Sequence, residues 1–138
     1  MSYVTEVAAP ALIADAFVRG ERRRHVSLAE FRGSWTVVAL AARRRDVLEL
    51  AALEEAFAAD GAVVLAATPD DWHEVAHRYA DEPVRFPILA GVAEERRLTL
   101  IVDPLGVVRH VGVRWSARDM LAVLEELLAS PVATQRAA

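Results

Sequence analysis

A chain of 138 residues with 54% hydrophobic and 26% charged residues carries enough apolar surface for one compact domain, which excludes global disorder. The net charge is -4, and all sixteen basic residues are arginine, outnumbered by twenty carboxylates, so nucleic acid is not an expected partner. Cysteine is absent, which excludes a thiolate nucleophile, a disulfide and a Cys-ligated metal or cluster.

Residues 1–17 lack a basic start and include Glu6 and Asp15, so they are not expected to act as a signal peptide. Residues 12–18 and 23–27 flank Arg19-Gly20-Glu21 and predict a hairpin turned at the glycine. Ser27 is followed by Glu30 in capping-box spacing, which would start one helical turn over 28–31, closed by Gly33. Residues 35–42 are nearly all apolar, with Thr36, Val37 and Val38 β-branched, as in a strand buried on both faces. Leu48, Ala51, Ala52, Leu53, Ala56 and Phe57 then recur at helical spacing and predict one helix, ended by Asp60-Gly61.

A second buried strand is expected over 62–67, followed by a helix capped by Thr68, with Pro69 in its first turn, running to about Tyr79. The two apolar runs, 37–42 and 62–67, are far short of the roughly 20 residues that span a bilayer, so no membrane association is expected and the cytoplasm is the expected location. Beyond a loop with Pro83 and Pro87, strands at 99–102 and 107–113 flank Asp103-Pro104-Leu105-Gly106, a turn tetrapeptide that predicts an antiparallel hairpin. Ser116 would cap a last helix whose stripe is Met120, Leu121, Val123, Leu124, Leu127 and Leu128. Residues 1–130 are expected to form a single domain, with 131–138 a flexible tail.

Buried strands that alternate with helices, closed by a hairpin, argue an α/β fold. The expectation is a thioredoxin-like sandwich: a central mixed sheet with an N-terminal β-hairpin and helices on both faces.

Four stretches carry a family resemblance in order: Ala9-Pro10-Ala11-Leu12; Val26-Ser27-Leu28-Ala29-Glu30-Phe31-Arg32-Gly33-Ser34-Trp35; Gly61-Ala62-Val63-Val64-Leu65-Ala66-Ala67; and Arg97-Leu98-Thr99-Leu100-Ile101-Val102-Asp103-Pro104-Leu105-Gly106-Val107-Val108. They resemble the peroxiredoxins, the alkyl hydroperoxide reductase and thiol-specific antioxidant branch of the thioredoxin-like folds. The family's cysteine lies in a PxxxTxxC loop after the first long strand. Counted forward from the Trp35 strand it would fall near Glu49, and counted back from Phe57 and Gly61 it would fall at Arg43. The two counts disagree, so the loop is expected to be deleted, leaving Ala41-Ala42-Arg43-Arg44-Arg45-Asp46. Arg97 matches the arginine that in the family helps bind peroxide and lowers the thiol pKa. The resemblance also implies a homodimer, formed through a sheet edge or the face around the old active site. Thiol peroxidase chemistry is expected to be absent, leaving a non-redox binding or interaction protein with no catalytic residue and no cofactor.

Three residue groups are candidates for a site. Arg43, Arg44 and Arg45 stand where a helix should begin, and three cations there are unfavourable unless compensated. Arg43, Arg44 and Arg97 are therefore the candidate receptors for a small anionic ligand, against a solvated turn as the plain explanation. His73-Glu74-Val75-Ala76-His77 matches H-E-x-x-H, which on a helix would offer His73 and His77 to zinc with Glu74 as general base. The plain explanation is two solvated histidines. An acid-base enzyme using His110 beside Arg97 is the remaining alternative. Trp35 is expected in the core, whereas Trp72 and Trp115 are expected to be partly exposed. Asp70 and Asp71 are explained by a helix start.

Overall fold

The computed structural model describes residues 7–130. In chain order these form β1 (Ile13–Val18), β2 (Glu21–Ser27), a 3-10 turn (Leu28–Phe31), β3 (Trp35–Leu40), α1 (Arg44–Ala52), α2 (Glu54–Ala59), β4 (Ala62–Ala67), α3 (Trp72–Tyr79), β5 (Ile88–Leu89), β6 (Leu98–Val102), β7 (Val108–Gly112) and α4 (Ala117–Ala129). One mixed seven-stranded sheet runs β2-β1-β5-β4-β3-β6-β7. This is the thioredoxin-like α/β arrangement expected from the sequence. The tail expected at 131–138 lies outside the described residues.

β3 and β4 are parallel from Trp35↔Ala62 to Ala39↔Ala66, and β6 flanks β3 antiparallel with Leu40 opposite Leu98. Every β3 residue is buried, as its unbroken apolar run requires. Alternation sends Val37, Ala39, Val64 and Ala66 to one face, where they meet Val47, Leu50, Phe57, Val75, Tyr79, Met120 and Leu124 from the four α-helices. Val38, Leu40, Leu65, Ala67, Leu100 and Val102 point the other way, against Leu28 and Phe31 of the 3-10 turn and the chain at Ala9 and Leu12. Helical elements thus cover both faces unequally: four α-helices on one, a single 3-10 turn on the other.

Several local signals act as expected. Arg19 and Gly20 take φ values of 50° and 87°, the paired left-handed residues of a two-residue hairpin turn. Ser27 Oγ accepts from Ala29 N at 3.1 Å while Glu30 Oε2 accepts from Ser27 N at 2.8 Å, so the capping box forms. Ser116 Oγ accepts from Asp119 N at 3.1 Å and starts α4.

Three expectations change. The helix expected through Phe57 is two helices, because Leu53 leaves helical geometry (φ -110°, ψ 9°) and Glu54 and Glu55 open a second helix with charges that suit its positive end. The helix after β4 starts at Trp72, capped by Asp71 Oδ1 accepting from Glu74 N at 2.9 Å. Thr68 is no cap, because its backbone continues the sheet: Thr68 N donates to Leu89 O and Val92 N donates to Thr68 O, each at 2.9 Å. β5 was not expected; two residues show no alternation, and only pairing with Ala66 and Ala67 on one side and β1 on the other makes them a strand.

Candidate functional site: the start of the first helix

β3 ends at Leu40, and three residues, 41–43, separate it from α1. Ala41 turns the chain in the left-handed region at φ 52°, a conformation that strains any residue with a Cβ. Ala42 N donates to Ala67 O at 3.0 Å, which fixes the turn to the end of β4. Asp46 lies in the first turn of α1, only 3% exposed, and its Oδ2 accepts from Arg43 N at 3.0 Å.

A buried carboxylate requires a cation, and the sheet supplies it. Pairing of Leu40 with Leu98 brings the residue before β6 alongside the start of α1. Arg97 accordingly grips Asp46 with both sides of its fork, Nε to Oδ2 at 2.8 Å and Nη2 to Oδ1 at 2.6 Å. Arg97 Nη2 also donates to Trp115 O at 3.1 Å, and the guanidinium lies 4.4 Å from the centre of the Trp115 ring. Burial pushes the Asp46 pKa up, but the hydrogen bonds from Arg97 and from Arg43 N outweigh it and hold the carboxyl below its ordinary value. The same bond to Asp46 raises the pKa of Arg97.

Beside this pair, at the C-terminal ends of parallel β3 and β4, opens a cleft of about 520 Å³ whose lining includes Ala42, Arg43, Arg44, Thr68, Arg78 and Glu95. Ends of parallel strands are where open α/β sheets commonly receive ligands. Two of the cleft's cations are ion-paired, Arg44 with Glu82 and Arg78 with Asp70. Arg45 faces solvent and pairs with Glu49 at 3.4 Å. The Arg43 guanidinium has no ion-pair partner within 4 Å among the described residues. Of the three candidate anion receptors, then, Arg43 and Arg44 share the cleft. Arg97 is not part of its lining, being turned onto Asp46, which in turn holds Arg43 N.

His73, Glu74 and His77 are all exposed on α3, and no group of three or more His, Asp or Glu side chains that could hold a metal occurs among the described residues. His110 sits on β7 opposite Ile101 and makes no hydrogen bond to Arg97 among those described. Trp35 is buried as expected and Trp72 is half-buried, with Arg22 4.9 Å from its ring centre. Trp115, expected to be partly exposed, is only 5% exposed because it packs against Ala117 and Met120 of α4 in the helical-face core, with Arg97 on its ring. The site residue without a sequence signal of its own is Asp46: its spacing from Arg43 matches a helix-capping carboxylate, but nothing local links it to Arg97.

The backbone matches that of the mitochondrial 2-Cys peroxiredoxin of Plasmodium falciparum at TM-score 0.79, over 91% of this chain and 94% of that one, with 14% sequence identity. AhpC of Enterococcus faecalis matches at TM-score 0.78 over 91% and 92% of the two chains, with 16% identity. The fold is that of the peroxiredoxins. Thioredoxin peroxidase I of Plasmodium yoelii gives 0.79, covering 90% of each chain at 14% identity. No family model matches the sequence, and no curated protein matches it. Within this peroxiredoxin fold the present chain has no cysteine at any position. Among the described residues no helix is long and apolar enough to cross a membrane.

Proposed function

We propose that this chain is a non-redox binding protein built on the peroxiredoxin fold, that it receives a small anionic ligand in the cleft at Arg43 and Arg44, and that it acts in the cytoplasm as a homodimer. The observation that carries this is the occupation of Arg97. In a thiol peroxidase the activating cation must face a thiolate. Here no sulfur nucleophile exists, and Arg97 is held by a buried carboxylate through both arms of its fork. Arg97 and Asp46 are then positioning residues: they fix Arg43 N and the first turn of α1, and Arg43 supplies the uncommitted guanidinium above it.

Two measurements test the proposal on the intact chain. With hydrogen peroxide and dithiothreitol, turnover above the protein-free rate is not expected; appreciable turnover that survives a metal chelator would overturn the non-redox assignment. Titration with inorganic phosphate, followed by amide NMR, is expected to shift the amides of 42–46, and Arg43→Gln is expected to weaken binding about tenfold, the worth of one charge-assisted contact. Equal phosphate affinity in Arg43→Gln would remove the anion site.

A further inference from the structure

A second cavity lies on the sheet face that the α-helices leave uncovered. Its volume is about 270 Å³. Thr36 of β3 and Val102 of β6, directly opposite each other in the sheet, form its floor; Leu28 and Phe31 of the 3-10 turn form one wall, and the chain at Pro10 and Ile13 the other. These surfaces are mostly apolar. At roughly 30 Å³ per water the space equals roughly nine waters, the size of a small organic acid.

One cation borders this cavity without a partner. Arg32 ends the 3-10 turn, and no carboxylate lies within 4 Å of its guanidinium among the described residues. Its guanidinium lies over Gly106, where a Cβ would come within 2.9 Å of Arg32 Nε, and the side chain is exposed to solvent. The one carboxylate in the lining, Asp103, is already compensated. Its Oδ1 accepts from Leu105 N and Val107 N, each at 3.0 Å, and the charge on its Oδ2 is balanced by Arg109 Nη1 at 3.5 Å, an ion pair without a hydrogen bond. The cavity therefore offers apolar walls and one net positive charge.

We propose that this cavity binds a small apolar monocarboxylate, with Arg32 receiving the carboxylate and Leu28, Phe31 and Val102 enclosing the hydrocarbon body. Such a ligand uses both features at once: an inorganic anion would leave the walls wet, and a neutral hydrocarbon would make no use of the Arg32 charge. The site stands apart from the cleft at Arg43, shares no lining residue with it, and holds or fails independently of the function proposed for that cleft.

Benzoate is the probe, titrated into the intact chain and followed by amide NMR. Amides at Ala29, Arg32 and Gly106 are expected to shift with a Kd on the order of 1 mM, as for a ligand of this size. Arg32→Gln is expected to weaken binding about tenfold, because it removes a charge-assisted contact. Benzamide, of the same shape but neutral, should lose a similar factor. Arg96→Gln, an equal change of charge at an exposed residue paired with Glu94 and outside the cavity, should bind benzoate like the parent chain. Ala29→Phe, at an exposed position of the lining, fills the cavity and should abolish binding, with circular dichroism confirming the fold. Unmoved amides at benzoate concentrations far above the expected Kd would overturn the proposal. So would equal affinity in Arg32→Gln, or benzamide binding as well as benzoate.

Discussion

Asp46→Asn is the sharpest probe of the buried pair. The substitution preserves shape but replaces one acceptor oxygen by a donor NH2, so Arg97 faces a donor whichever way the amide lies, and Arg43 N does too when the NH2 takes the place of Oδ2. Removing one partner of a buried ion pair costs about 3–5 kcal/mol where the remaining charge is fully buried. The Arg97 side chain is 25% exposed and retains its bond to Trp115 O, so partial hydration lowers the expected cost to about 2–3 kcal/mol. For a domain of this length that is a fall in Tm of about 8 °C. Arg97→Met should cost more, about 3–5 kcal/mol, because the charge it leaves without a cation is the Asp46 carboxylate, which is only 3% exposed. The double variant has no orphaned charge and should lose about 2 kcal/mol less than the sum of the single changes. The pH dependence has a definite sign. Asp46 is held below its ordinary value of 3.8, so its stabilisation is fully present above pH 3.8 and fades as pH falls below it, when the unfolded chain takes up the proton first. The stability gap between parent and Asp46→Asn should therefore be constant near neutrality and shrink in acid. Urea unfolding of the four chains at pH 7 and pH 3 measures all of this. Single effects that add to within about 0.5 kcal/mol would refute the pair as a coupled unit.

Where a structural cause is local, the sequence displays it. The buried strands β3 and β4, the capping box at Ser27, the cap at Ser116 and the turn at Asp103 all rest on residues within a few positions of each other, and all form. Where the cause is pairing across the chain, the sequence is silent. β5 exists only because β1 and β4 lie on either side of it, and Thr68 is drawn from a cap into the sheet by Leu89 and Val92. The site divides the same way. Arg97 is visible through a resemblance and Asp46 through its place near a helix start, but their contact spans 51 residues and follows from the β3–β6 register. The cavity at Arg32 draws its lining from four separate segments and has no linear signature. Composition was the strongest functional signal, since a missing element removes a chemistry whatever the fold.

Two further outcomes follow from groups left over by the packing. Thr99 is fully buried, and its hydroxyl has no hydrogen-bond partner. Thr99→Val keeps the shape, removes the unsatisfied group and is expected to raise stability by about 1 kcal/mol in urea unfolding; destabilisation would mean that the hydroxyl has a partner, such as a buried water. The proposed homodimer can be assigned to an edge. β2 is one border of the sheet, and it is poorly suited to pairing: Arg22, Arg23 and Arg24 are exposed on it, and a bulge opposite Asp15 forces His25 to φ 55°. β7 is the other border. The chain at Val7 and Ala8 pairs with its start, through the bridge to Val107 and Val108 N donating to Val7 O at 2.8 Å. Beyond that point it has no proline, Arg109 is turned onto Asp103 and only 13% exposed, Arg114 is exposed just past the strand, and Val111 and Val113 are 48% and 63% exposed. Two copies meeting there antiparallel would cover these valines and extend the sheet. Sedimentation at micromolar concentration is expected to give a dimer. Val111→Lys should weaken it at least tenfold, because two lysines would be brought together at the seam, while Arg23→Gln on the opposite border should leave it unchanged. A monomer at every concentration, or a dimer indifferent to Val111→Lys, would exclude this edge as the interface.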